Sequence, residues 1–316
     1  MKVMKFFLIK KYNKYLNYLR KIPYYINNPI NIFHPKKLLY KMDLFIYFAL
    51  IFILIIPKIN SISKITAINY DNIITLTIKG RGEQSILYEG IRTENNIRLP
   101  DKIQINGNDF NGTINYKRQD LTSEENIITL IWEGSIIVCT ISKNMFKNVK
   151  NMINIDLLNF DFSSVTSLES FFEGCTSLKS VDLSNFDFTN VLTMKLMFSK
   201  CSSLVSVNFN NLKTNNTQDL SNLFEQCTSL ITIDMSSFNT PNILYLSNCF
   251  SGCTSIKSIN LNNIYTGKAI YMDAMFNNCK ALLSLDLSNF NTKLVQKMNH
   301  MFNQCNSLKY LKIREI

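Results

Sequence analysis

The pattern of apolar and polar positions repeats every 26 residues over residues 145–316. Cysteine and phenylalanine mark the repeat most clearly, because each returns at one fixed position in it. These positions are Cys175, Cys201, Cys227, Cys253, Cys279 and Cys305, and Phe146, Phe172, Phe198, Phe224, Phe250, Phe276 and Phe302. A single repeat is too short to bury its own apolar side. The pattern therefore predicts a stack of repeats that bury their apolar sides against one another.

Two local periods occur within each repeat. In "LKSVDL", Val181 and Leu183 are two residues apart and alternate with polar residues, which is typical of a strand. In "NVLTMKLMF", Val191, Met194 and Phe198 follow the i, i+3, i+7 spacing of an amphipathic helix. We therefore expect an α/β solenoid, a leucine-rich-repeat horseshoe of 26-residue strand-helix repeats over residues 145–316, preceded by a small β-rich lead-in.

The predicted lead-in, residues 64–144, shows strand patterns. Ile74, Leu76 and Ile78 alternate with threonines, and a second alternating run, residues 128–132, precedes Gly134 and predicts a hairpin. A stack of repeats has an apolar end that must be covered. We therefore expect residues 64–144 to form a β-rich N-terminal cap.

A basic leader is predicted for residues 1–63. Residues 1–42 contain ten lysines and arginines and no acidic residue, so they carry almost all of the formal net charge of +11. The rest of the chain is nearly neutral, which argues against a nucleic-acid-binding face. The 13 apolar residues 44–56 come next and predict a signal peptide or an uncleaved signal-anchor, and Met42 could itself begin a conventional signal.

Both interpretations of the leader place residues 64–316 outside the cytosol. We therefore expect an extracellular or cell-surface protein, and a single-pass membrane protein if the leader is not cleaved. Two sequons fit this location, and their acceptor residues are Asn111 and Asn215.

The polar side of the predicted strands is the candidate ligand-binding surface, on the concave face of the horseshoe. Its residues are Ser180, Asp182, Ser184, Ser206, Asn208, Thr232, Asp234, Ser258, Asn260, Ser284 and Asp286. The expected partner is a protein or glycan on another cell or in the matrix. The alternative is a solvated sheet face whose side chains hydrogen-bond to one another. Calcium is a weaker alternative, because no compact DxDxDG loop is present.

Motifs for catalysis are not found. The chain has two histidines, His34 and His300, and neither belongs to a catalytic motif. The sequence contains no phosphate-binding glycine loop, HExxH motif or CxxC motif. Cys249 and Cys253 are four residues apart, but Cys249 occupies the column of Met197, Leu223, Met275 and Met301. We therefore expect no enzyme, no cofactor and no metal site.

The cysteine column itself allows two interpretations. A secreted chain favours disulfides, and equivalent positions in neighbouring repeats would be close enough to form them. However, the column is in phase with buried phenylalanines, and Val149 fills it in the first repeat. This favours free thiols that fill small spaces in the core.

The phrases "FFEGCTSLKSVDLSNFDFTNV", "LFEQCTSLITIDMSSFNT" and "MFNNCKALLSLDLSNFNT" resemble the BspA-like leucine-rich-repeat surface proteins of microbes. The resemblance implies a secreted or surface-exposed protein used for binding and adhesion, without catalytic residues. A structural surface-coat protein that assembles through the ends of its repeat stack is the alternative. In that case the final strand, "YLKIREI", is expected to act as an edge for self-association.

Overall fold

The structure is a computed structural model that describes residues 72–92, 99–112, 117–133, 143–184 and 186–314. They belong to one compact unit, Asn69–Ile316. The predicted leader, with its apolar residues 44–56, lies outside the described residues. Within the described ranges, no helix has the length and apolar character needed to cross a membrane.

Residues 72–159 form two antiparallel sheets. The strands are β1 (Asn72–Lys79), β2 (Gly82–Ser85), β3 (Lys102–Ile105), β4 (Asn108–Asp109), β5 (Lys117–Leu121), β6 (Glu125–Trp132) and β7 (Met152–Asn159). The larger sheet has the order β4-β3-β6-β1-β7, and a separate pair joins β2 to β5. A short 3₁₀ helix spans Glu89–Arg92.

Alternation along β1 and β6 decides which side of the larger sheet is buried. Ile74, Leu76 and Ile78 are fully buried, and the threonines between them are partly exposed. In β6, Leu130 and Trp132 are also fully buried. The strand prediction from alternation is therefore confirmed for both runs. The hairpin predicted after Trp132 falls on residues 134–142, outside the described ranges.

The first repeat joins the larger sheet. Its strand, β7, pairs antiparallel with β1, in a register that sets Leu76 opposite Ile155. The later repeats contribute the short strands β8 (Ser180–Asp182), β9 (Ser206–Asn208), β10 (Thr232–Asp234), β11 (Ser258–Asn260), β12 (Ser284–Leu287) and β13 (Tyr310–Ile313). They pair in parallel: β8 with β9, β10 with β11, and β12 with β13.

The prediction of strand-helix repeats is wrong. Among the described residues there is no α-helix, and the segments expected to be helical form successive turns. The chain is therefore not an α/β leucine-rich-repeat horseshoe. It consists of small sheets and 26-residue repeats in which a short strand is followed by ladders of turns.

Hydrogen bonds between repeats explain why the helix does not form. The backbone N–H groups of Met194, Leu196 and Phe198 donate to carbonyls 25 residues further along the chain, at 2.9–3.0 Å. An α-helix would instead use the carbonyl four residues back. Leu196 also has a left-handed φ of 59°, which an α-helix excludes.

The turns reproduce the apolar spacing of a helix. The N–H of Met197 donates to the carbonyl of Met194, and that of Cys201 donates to Phe198, both at 3.1 Å. Each turn brings residues three apart to the same side of the chain. An i, i+3, i+7 apolar pattern therefore arises without a helix.

A column of phenylalanine rings runs through the core of the repeats. Successive rings, from Phe146 to Phe302, lie 5.4–5.9 Å apart between centroids, with interplanar angles of 3–21°. All members except Phe302 are fully buried. Because equivalent rings contact each other directly, the core extends without interruption from one repeat to the next.

Candidate ligand-binding face

We use the name strand face for the outward side chains of β8–β12. All but one of the predicted binding residues lie on these strands; the exception, Ser184, follows β8 and is half-buried. In the pair β8–β9, hydroxyl faces hydroxyl and acid faces amide, as in Ser180 opposite Ser206 and Asp182 opposite Asn208. The same order holds for β10 and β11. The structure therefore brings the predicted residues together in columns.

The hydroxyl column is the most open part of the strand face. Its members are Ser180, Ser206, Thr232, Ser258 and Ser284, and all are exposed. Their positions allow hydroxyl groups to contact a bound molecule along the whole row.

The acid and amide column stabilises the turns that follow the strands. Oδ1 of Asp182 accepts a hydrogen bond from the backbone N–H of Ser184 at 2.8 Å. Equivalent bonds are made to Asn208, Asp234, Asn260 and Asp286, at 2.9–3.2 Å. Such Asx turns favour Asp or Asn at this position for local reasons. The recurrence of these residues is therefore no evidence of ligand binding by itself.

Hydrogen bonds and a lysine lower the pKa of two acids in this column, Asp182 and Asp286. Burial alone would raise the pKa of Asp182, but hydrogen bonds from Ser184 and Asn208 outweigh burial and lower it. Hydrogen bonds from Ser288, together with Lys312, lower the pKa of Asp286 to about 2. Lys312 Nζ lies 3.0 Å from Asp286 Oδ2. Both carboxyl groups are therefore charged near neutral pH.

Sequence reasoning missed the column of residues that directly precede the strands β8–β13. It contains Lys179, Val205, Ile231, Lys257, Leu283 and Lys309. The three aliphatic side chains in it are 44–47% exposed. The signal was present in "LVSVN", "LITID" and "LLSLD", where an aliphatic residue replaces a lysine at an outward position.

The cysteine column points into the core. The thiol of each cysteine in the column donates to the carbonyl of a phenylalanine in the preceding repeat, at 3.0–3.2 Å. All seven cysteines of the described part, including Cys249, are free thiols. No group of three or more His, Cys, Asp or Glu residues within the described ranges could hold a metal ion.

The two sequon asparagines lie at the surface. Asn111 and Asn215 are both exposed. Asn215 Oδ1 also accepts a hydrogen bond from Asn239 Nδ2 at 3.1 Å. Glycosylation at either position stays a prediction.

Comparison with known proteins gives a family but no activity. No curated protein and no solved structure matches the chain. One family model matches residues 128–234 and again residues 202–313. The two matches together cover more than half of the chain, including almost all of the repeats. The chain therefore belongs to the family described as "Mycoplasma protein of unknown function, DUF285".

Proposed function

We propose that this chain is an extracellular or cell-surface binding protein whose strand face takes a protein or glycan ligand on another cell or in the matrix. One observation carries the proposal: outward hydroxyl side chains stand in register within the parallel pairs β8–β9 and β10–β11 and are exposed to solvent. Repeat proteins use extended surfaces of this kind for binding.

The leader and the repeat phrases support the surface location. Residues 44–56 have the length of a signal-peptide core, and the basic residues before them favour export of the chain after this core. If the segment is not cleaved, it would attach the protein to the membrane. The resemblance to BspA-like surface proteins supports adhesion as the purpose of binding.

Regular spacing is the physical advantage of the strand face. Neighbouring parallel strands lie about 4.8 Å apart, so five strands present a row of similar groups about 19 Å long. A ligand that contacts several rows at once can combine contacts that are individually weak.

A microarray experiment tests the proposal. The purified full-length chain is applied to a glycan array and to immobilised fibronectin, laminin and collagen. The test variant carries Ser206→Arg and Thr232→Arg, which place two bulky side chains in the exposed hydroxyl column. The control carries Gln218→Arg and Gln296→Arg, which add the same charge at exposed positions outside the strand face.

The expected result is binding by the wild-type chain and the control and loss of binding by the strand-face variant. Binding that is unchanged by Ser206→Arg and Thr232→Arg would contradict the strand face as the site. A wild-type chain that binds none of the probes would contradict the proposed function.

A second candidate function, self-association into a surface coat, is favoured by β13. Leu311 and Ile313 are 43% and 64% exposed, whereas the equivalent Val181 and Leu183 are buried. An exposed apolar strand edge can pair with another chain. Light scattering tests this: assembly of the wild-type chain that is abolished by Ile313→Lys supports it, and a monomer at high concentration contradicts it.

A further inference from the structure

We propose that the ligand of the strand face is a protein segment with apolar and acidic side chains, and that it docks on an apolar strip formed by Val205, Ile231 and Leu283. This inference rests on the proposed function and specifies the class of ligand. Lysines occupy the other three positions of the same column, and we call Lys179, Lys257 and Lys309 the lysine frame; Lys257 lies between Ile231 and Leu283.

The strip and its lysine frame belong to one structural column. The backbone N–H of Val205 donates to the carbonyl of Lys179 at 2.8 Å, and that of Lys257 donates to Ile231 at 2.8 Å. Leu283 donates to Lys257 at 3.2 Å in the same way. With strands about 4.8 Å apart, the six positions span about 24 Å. The column is therefore long enough to hold a segment of another protein.

Exposure of the three aliphatic side chains favours an apolar partner surface. Val205, Ile231 and Leu283 are 46%, 44% and 47% exposed, although the residues two positions further along each strand are buried. Single exposed aliphatic residues are common, but Val205 and Ile231 are neighbours in one column, and Leu283 follows in the same column after Lys257. Removing them from water favours binding to a partner that offers apolar side chains. A sugar, whose surface is dominated by hydroxyl groups, covers branched aliphatic side chains poorly.

Charge indicates the second property of the partner. The ammonium groups of Lys179, Lys257 and Lys309 make no hydrogen bond or ion pair with the described part of the chain. Lys312, which occupies the acid and amide column in the last repeat, differs from them because it is paired with Asp286. Carboxylates on the partner would complement the three free ammonium groups and favour association.

Two other occupants fit the column less well. A second copy that docked through the same column would bring lysines against Lys179 and Lys309, because both ends of the column are lysines, and like charges repel. An anionic membrane would be attracted by the lysine frame, but Asp182 and Asp234 on the same face would repel it. The arrangement therefore favours a different protein.

The test uses two pairs of substitutions with a matched control. Val205→Ser and Ile231→Ser remove the apolar groups, while Lys179→Glu and Lys257→Glu reverse the charge of the lysine frame. The control, Lys280→Glu with Lys293→Glu, makes the same charge change at exposed positions away from the strand face. Thermal unfolding checks that all variants remain folded, and binding is measured to the matrix proteins, the glycan array and phosphatidylserine vesicles.

The inference predicts that the wild-type chain binds at least one protein probe, more weakly as salt rises. Each test pair should weaken this binding about tenfold, equivalent to about 1.4 kcal/mol, and the control should not. Binding to glycans alone or to vesicles alone would overturn the inference. If Ser206→Arg with Thr232→Arg abolishes binding while both test pairs leave it unchanged, the inference is wrong and the proposed function stands. If none of these variants changes binding, the proposed function itself is wrong.

Discussion

The thiol of Cys201 donates a hydrogen bond to the carbonyl oxygen of Phe172, 3.1 Å away in the preceding repeat. The same bond recurs from Cys175 to Cys305, so each cysteine connects two neighbouring repeats through a side-chain donor. In the first repeat, Val149 holds this position, and no earlier repeat provides a carbonyl for it. The column therefore requires a small side chain that can donate a hydrogen bond.

Loss of this donor should destabilise the fold. Cys227 is fully buried and donates to the carbonyl of Phe198 at 3.0 Å. Cys227→Ala removes the hydrogen bond and leaves a small cavity, so the free energy of unfolding should fall by about 1–3 kcal/mol, as measured by urea denaturation. The control is Cys305→Ala, because Cys305 is only half-buried and should cost less. Equal losses for the two variants would contradict this account.

Alkaline pH should destabilise the protein through the same column. Burial raises the pKa of the thiols of Cys201, Cys227 and Cys253. In the unfolded chain these thiols ionise near pH 8.5. Below that pH both states hold the protons, but above it the unfolded state loses them while the folded state keeps them, so stability falls as pH rises.

The measurement is the free energy of unfolding between pH 7 and pH 10. Each such thiol contributes a slope of up to about 1.4 kcal/mol per pH unit above its unfolded pKa. The decline should be shallower in Cys227→Ala, which has one fewer buried thiol. A stability curve that is flat to pH 10 would contradict the burial of ionisable thiols.

Substitution of Gly252 should destabilise the protein, because this residue has a left-handed backbone conformation. Gly252 has a φ of 78°, and a Cβ added there would lie 3.3 Å from Gln226 Cγ. Gly252→Ala should lower stability by about 1–2 kcal/mol, because an L-residue is strained in this conformation. Gly267→Ala is the matched control, since no heavy atom lies within 4 Å of a Cβ placed there. Thermal denaturation of the two variants should show a loss for Gly252→Ala only.

An exposed ion pair should contribute a small acid-sensitive stabilisation. The hydrogen bond from Lys213, 2.7 Å away, is the main reason that the pKa of Asp187 falls to about 2. Because the pKa is lower in the folded state than in the unfolded state, the stabilisation is present above about pH 4 and is lost as pH falls towards 2.

Asp187→Asn should therefore lower the free energy of unfolding at pH 7 by no more than about 1 kcal/mol, since both side chains are exposed. The difference from wild type should disappear near pH 2. Lys213→Gln should behave in the same way, and the double variant should lose no more than either single variant. A difference that persists at pH 2 would show that another interaction is responsible.

Part of the fold and part of the site were predictable from local patterns. Alternation of apolar and polar residues located β1, β6 and the strands of the repeats. A two-residue period is typical of a half-buried strand, and its return every 26 residues strengthened the prediction. The i, i+3, i+7 pattern did not determine a helix, since successive turns place Met194 and Phe198 on the same side equally well. The predicted hydroxyl and acid columns do lie together, but local Asx turns account for much of the acid column.

The sequence by itself determined the length of the repeat, the columns that face inward and the positions of the strands, because these depend on the spacing of apolar residues. Only the tertiary structure decided the partners of the backbone N–H groups. An N–H such as that of Phe198 can reach a carbonyl four residues back or one in the next repeat, and stacked repeats supply the second. The same stacking brought each thiol to a phenylalanine carbonyl and left Val205, Ile231 and Leu283 exposed in one column.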